Sequence, residues 1–164
     1  MQRSKLDPLL QAKLREGFDD LQLWRCHQCG QCSAVCPSFR NGGINIREVI
    51  ERALIGSIDL EKDRTIWQCT MCNGCSERCQ LDIEPARVVT ALRNLAAERG
   101  NVPAYFLSEA RLFVSSGMAF PITGLTRKLR EELGLEELKM GEGTIEVIRT
   151  IVSRTGMGRI SVGP

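Results

Sequence analysis

Eight cysteines stand in this chain as two copies of one spacing: Cys26, Cys29, Cys32 and Cys36, then Cys69, Cys72, Cys75 and Cys79. Each copy reads C-x2-C-x2-C-x3-C, and each cysteine of the second lies 43 positions after its counterpart. Trp24 and Trp67 keep the same interval. Three thiolates within seven residues, with a fourth a turn later, suit the corners of an iron-sulfur cube better than any other common cysteine device. The pattern therefore predicts two [4Fe-4S] clusters and an electron carrier.

Other cysteine devices fit less well. Structural zinc sites pair two C-x2-C knuckles across a longer loop, whereas here a third cysteine follows each pair at once. A C-x2-C oxidoreductase needs only two cysteines. A tight C-x2-C-x2-C loop supplies three corners of a cube without strain, so the fourth ligand must arrive from elsewhere. In two-cluster bacterial ferredoxins the fourth cysteine of each run ligates the other cluster. Carried over by spacing, Cys26, Cys29, Cys32 and Cys79 hold one cluster, and Cys69, Cys72, Cys75 and Cys36 hold the second. Gly30 and Gly74 lie inside the loops, where a missing Cβ lets backbone approach a cluster and aim N–H groups at sulfur. Pro37 follows Cys36 as the ferredoxin run expects, but Gln80 takes the matching place after Cys79. The second turn is expected to be less rigid.

With 164 residues, 43% of them apolar but only 5% aromatic, the chain buries limited apolar area, so metal ligation is expected to contribute to folding. Basic and acidic residues number 22 and 20 and are interspersed, which gives no basic stripe for nucleic acid. Met1 to Leu10 carries no apolar signal core, and the longest weakly charged stretch, Leu112 to Leu125, is too short to span a bilayer. The expectation is a soluble, cytoplasmic protein with reduced thiols.

The periodicity predicts an all-α chain. A helix from about Pro8 to Leu23, capped by Asp7, carries Leu10, Leu14, Phe18 and Leu21 on one face. Asn41-Gly42-Gly43 reads as a turn. Asn45 caps a helix striped by Ile46, Val49, Ile50, Ala53 and Leu54 that ends at Gly56. A short helical stretch is expected near Asp59 to Ile66. Pro85 opens a helix with Val88, Val89, Leu92, Leu95 and Ala96 on one face, closed by Gly100. Residues 1–100 thus form a helical two-cluster core, and no segment shows the sustained alternation of a strand-rich ferredoxin. Residues 101–164 form a helical extension, with helices over Pro103 to Ser116, Thr126 to Leu133 and Glu142 to Arg154. This extension packs on the core or docks a partner.

Among the remaining candidates, Trp24 and Trp67 read first as core packing and second as shields for the clusters. His27 lies between two cysteines but finds no vacant ligand position, so it reads as a residue at the surface or beside the cluster. Arg25, Arg40 and Arg78 flank the motifs as solvated charges or as guides for a partner. No phosphate-binding loop is present, and Gly156-Met157-Gly158 lacks the third glycine of a dinucleotide loop. No catalytic residue is read.

The paired motifs from Trp24 to Pro37 and from Trp67 to Cys79, on a helical scaffold with a helical tail, resemble the C subunit (HdrC) of heterodisulfide reductase. They are similar also to the iron-sulfur subunits of succinate dehydrogenase and fumarate reductase. The resemblance covers about half the chain, and Gln80 departs from the usual proline. It implies an alpha-helical ferredoxin fold and a non-catalytic subunit. That subunit relays single electrons between a flavin-containing iron-sulfur subunit and a cysteine-rich, disulfide-reducing subunit, as in methanogenesis. A freely diffusing ferredoxin, the iron-sulfur subunit of another dehydrogenase and a zinc-bound structural module remain the competing readings.

Overall fold

The computed structural model describes residues 6–17 and 22–162, with the side chains of 161 and 162 left aside. Among the described residues the chain is helical and contains no strand. It divides into two compact units, Met1–Asn101 and Val102–Pro164.

The first unit opens with α1, Pro8–Gly17. The Leu9 N–H donates to Asp7 Oδ1 at 3.0 Å, the cap that Asp7-Pro8 predicts. Leu10 and Leu14 are buried, whereas Phe18 and Leu21 lie outside the described residues. Where the predicted helix would finish, Leu23–Arg25 forms a single 3-10 turn. The short helices α2, Gln31–Ala34, and α3, Pro37–Arg40, lie inside and just after the first cysteine motif.

Next comes α4, Ile46–Ile55, as its stripe predicts: Ile46, Val49, Ile50 and Ala53 are buried and Asn45 accepts from the Glu48 N–H. Gly56 ends it in a left-handed conformation, φ 68. This glycine is required twice over, because a Cβ there would stand 2.4 Å from Asp7 O. The same close approach lets the Asp7 N–H donate to Gly56 O at 2.7 Å.

The helix expected near Asp59 to Ile66 does not form. Asp59 Oδ1 accepts from the Glu61 N–H, and Asp63 Oδ1 accepts from both the N–H and the hydroxyl of Thr65. These short carboxylates take backbone donors into turns, and only a 3-10 turn, Thr65–Gln68, follows. The second motif carries α5, Gly74–Glu77. The long α6, Pro85–Glu98, then buries Val88, Val89, Leu92 and Ala96 as predicted.

α1 packs on α4 and α6, and α4 packs on α6, so three helices enclose one apolar core. Buried Asn101 closes the unit by donating from Nδ2 to Leu60 O and Asp63 O, each at 2.9 Å. Asp63 also pairs with Arg52 at 2.8 Å, and Asp7 pairs with Arg99 at 3.2 Å.

The second unit contains α7, Ala104–Ser116; α8, Gly124–Glu132; α9, Glu142–Ser153; and α10, Gly156–Val162. α7, α9 and α10 pack on one another. Of the stripe predicted on α9, Val152 is buried, Ile145 and Ile148 are half-buried and Ile151 is exposed. α10 contradicts the sequence pattern, since Gly156-Met157-Gly158 is a poor helix start. Gly158 packs so close to α9 that a Cβ would meet Val152 O at 2.7 Å, and that tertiary contact outweighs propensity. α8 buries no side chain, and Leu125 and Leu129 along it and Leu133 just past its end are exposed.

Candidate iron-sulfur centres

The two cysteine loops repeat in backbone as well as in sequence. Gln28 and Gly30 in the first loop are left-handed at φ 60 and 81, and Met71 and Asn73, 43 positions on, match them at 55 and 59. Asn73, not Gly74, thus takes the place of Gly30. Asparagine tolerates the left-handed region better than most residues, so the glycine is free to shift by one position. At Gly74 a Cβ would stand 3.8 Å from Cys72 Sγ, an ordinary contact, and it is the Gly74 backbone hydrogen bond that holds the Cys72 thiol below its ordinary value. Gly30 acts through conformation, with the Arg47 side chain as its near neighbour.

Cys26, Cys29, Cys32 and Cys79 line a single cavity, together with Gly30, Gln28, Arg47, Gln80 and Ile83. The fourth cysteine of the second motif therefore faces the first three of the first. Cys36 is not among the residues lining that cavity; it is buried, with Sγ 4.0 Å from Ile44 O. α2 packs on α5. Two residues after Cys36, Ser38 Oγ donates at 2.8 Å to the carbonyl of Gln68, the residue before Cys69. Gly43 makes that link possible, because a Cβ there would fall 2.2 Å from Ser38 Oγ. Pro37 opens α3 as its first-turn residue, whereas Gln80 starts only a turn. The second motif lacks the short helix that Pro37 opens in the first.

Each loop holds sulfur with amide hydrogens. The Met71 N–H lies 3.4 Å from Cys69 Sγ, and Gln28 Nε2 lies 3.5 Å from Cys26 Sγ. Burial pushes the Cys32 and Cys75 thiols up, and charge on Cys26 and Cys69 adds to it. Soft thiolate donors, N–H groups aimed at sulfur and a shared cavity fit a [4Fe-4S] cube. Among the described residues no three Cys, His, Asp or Glu side chains converge on a single-ion site. That is no obstacle to a cube, which takes one thiolate per corner, whereas one zinc ion draws its sulfurs to within about 3.8 Å.

The aromatic pair divides. Trp67 packs against the core beneath Arg93, whose guanidinium lies 5.3 Å from the ring centroid and donates to Ile66 O and Cys69 O. Trp24 is 56% exposed under Arg15, so the core-packing expectation fails for it. His27 is exposed, as expected. Arg40 donates to Ala34 O at the end of α2 and Arg25 to Gln22 Oε1, so both have structural partners. Sequence reasoning overlooked Gln28, Asn73 and Arg93. Overlaying the two motifs residue by residue would have revealed the first two.

Residues 22–83 match the model of the 4Fe-4S dicluster domain. The C subunit of the H(2):CoB-CoM heterodisulfide,ferredoxin reductase of Methanothermobacter marburgensis is 30% identical over 98% of this chain and 89% of its own length. The C subunit of the Ferredoxin/F(420)H(2)-dependent CoB-CoM heterodisulfide reductase of Methanosarcina acetivorans is 37% identical over 80% of each. The chain belongs to the family of heterodisulfide reductase C subunits. A further member, the C2 subunit of the H(2)/formate:CoB-CoM heterodisulfide,ferredoxin reductase of Methanococcus maripaludis, is 38% identical over 68% of this chain and 61% of its own. Membership and the dicluster domain make this C subunit an iron-sulfur electron-transfer protein with two [4Fe-4S] clusters. Among its described residues no helix is long and apolar enough to cross a membrane.

Proposed function

We propose that this chain is the electron-relaying subunit of a heterodisulfide-reductase-type complex in the cytoplasm. It joins a flavin-containing iron-sulfur subunit to a cysteine-rich subunit that reduces a disulfide. The observation that carries this reading is the cavity lined by Cys26, Cys29, Cys32 and Cys79. Thiolates from both motifs meet there, so two centres built this way are interleaved and close. Cys26, Cys29, Cys32 and Cys79 would hold one cluster and Cys69, Cys72, Cys75 and Cys36 the other.

When bound, such a cluster supplies one-electron chemistry. The chain positions it: Gly30 and Asn73 turn the loops, Gly74 and Met71 place backbone N–H groups at sulfur, and Ser38 ties one motif to the other. Two centres in series suit a route between a flavin, which can release electrons singly, and a disulfide, which needs two. The subunit names of the relatives support a multi-subunit assembly. Residues 102–164, with an exposed leucine row on α8, are proposed as an extension that meets a partner.

The test is anaerobic purification with iron and sulfide counted, EPR recorded on reduction and co-purifying chains identified. About eight irons with [4Fe-4S] signals, beside a flavoprotein and a cysteine-rich chain, is the expected result. Eight irons in a lone chain would replace the complex with a diffusing ferredoxin, and zinc without iron would end the reading.

A further inference from the structure

Gln28 and Met71 occupy the same place in their loops, two residues after the first cysteine and one before the second. Both are held in the left-handed region, which is strained for residues with a Cβ. Their side chains then part company. Gln28 is half-buried, and its Nε2 lies 3.5 Å from Cys26 Sγ. Its Oε1 is buried with no hydrogen-bond partner among the described residues. A thiolate sulfur accepts and a carbonyl oxygen repels it, so the amide must turn its nitrogen to Cys26. Met71 is exposed, has no side-chain donor, and its thioether only accepts, from Thr90 Oγ1 at 4.0 Å. At this position the first loop thus places a side-chain N–H on Cys26 where the second places the Met71 backbone N–H on Cys69, and the first leaves a buried oxygen unsatisfied to do so.

We infer that Gln28 is a tuning residue, raising the one-electron potential of the centre held by the first loop through its amide N–H on Cys26. The inference rests on the ligation proposed above. The sign follows from charge. Reduction adds one electron and no bond at the amide forms or breaks, so the reduced centre carries more negative charge on its sulfurs. A donor to sulfur stabilises that state more than the oxidised one. The second loop has no side-chain donor at this position, so the Gln28 amide acts on one centre alone.

The experiment is an EPR-monitored potentiometric titration, with mediators and dithionite, of the full chain purified anaerobically with its native partners. Gln28→Met, which gives the first loop the second loop's residue, is expected to lower one potential and leave the other in place. The expected fall is up to about tenfold in the one-electron equilibrium, or about 59 mV. Met71→Gln, the reciprocal change, is expected to raise the other potential. Gln28→Glu, which replaces the donor by an anionic acceptor, is expected to lower the same potential as Gln28→Met. Gln28→Met protein with about eight irons and two unmoved potentials would overturn the inference and leave the ligation intact. If Gln28→Met does not load iron, Gln28→Glu and Met71→Gln decide, and two unmoved potentials there overturn it equally. Wild-type chain without iron-sulfur signals would overturn the ligation reading, and the inference with it.

Discussion

The first and second cysteine loops share a backbone down to the pair of left-handed residues, yet they sit in different surroundings. Trp24 ahead of the first is exposed, whereas Trp67 ahead of the second is tucked under Arg93. Ser33 in the first is buried and its hydroxyl bonds Asn45 Oδ1 at 2.6 Å and the Arg47 N–H at 2.9 Å. Its counterpart Ser76 has no nitrogen or oxygen partner among the described residues and stands by the Cys75 sulfur. The cradle for a cluster is thus the repeated part, and the scaffold around it has diverged. The cluster requires the loop, whereas any well-packed support will serve it.

The largest effect should come from crossing the two loops. Cys79→Ser is expected to remove the centre of the first loop and Cys36→Ser that of the second, each cutting the iron count from about eight to about four. EPR that shows each substitution destroying the centre next to it in sequence would break the crossed arrangement. Next come the arginines over the two tryptophans. Arg93→Met loses bonds to Ile66 O and Cys69 O and should lower stability by about 2–3 kcal/mol. Arg15→Met at the exposed ring should cost about 0.5–1 kcal/mol. Anaerobic urea titrations with equal midpoints would erase the distinction.

The serine pair sharpens it further. Ser33→Ala leaves Asn45 and the Arg47 N–H short of a partner and should cost about 1–2 kcal/mol, against less than about 0.5 kcal/mol for Ser76→Ala. The same titrations test both. The smallest effect concerns the ion pair that fastens the start of α1 to the end of α6. Burial pushes the Asp7 carboxyl up, but Arg99, the Leu9 N–H and Lys13 together hold it below its ordinary 3.8. Its stabilising effect is therefore full above that value and fades as the pH falls through it and below. Asp7→Asn should flatten this part of the acid dependence of the urea midpoint, and an unchanged profile would exclude the pair as its source.

The metal chemistry was legible because eight cysteines in register leave few alternatives, and α4 and α6 because apolar stripes lie between caps that the structure uses. Other features depended on competition between residues. The stretch from Asp59 to Ile66 has helical spacing, but Asp59 and Asp63 take its backbone donors. α10 forms where glycines argue against a helix, since packing on α9 rewards the absence of a Cβ. Trp24 looked like core because hydrophobicity says nothing of which residues the fold leaves outside. The cavity that gathers Cys79 with the first loop depends on how the two halves fold together, which spacing alone suggests only by analogy with ferredoxins.

The exposure of the thiols has one more consequence. In each loop the middle cysteine of the first three, Cys29 and Cys72, is exposed, while Cys36 and Cys75 are buried. A cluster held in either loop would be reached by water and oxidants first through that exposed cysteine. The same exposed cysteine would offer an electron a way out. A partner that covered Cys29 or Cys72 would close off that approach to oxygen and take the current in the same contact.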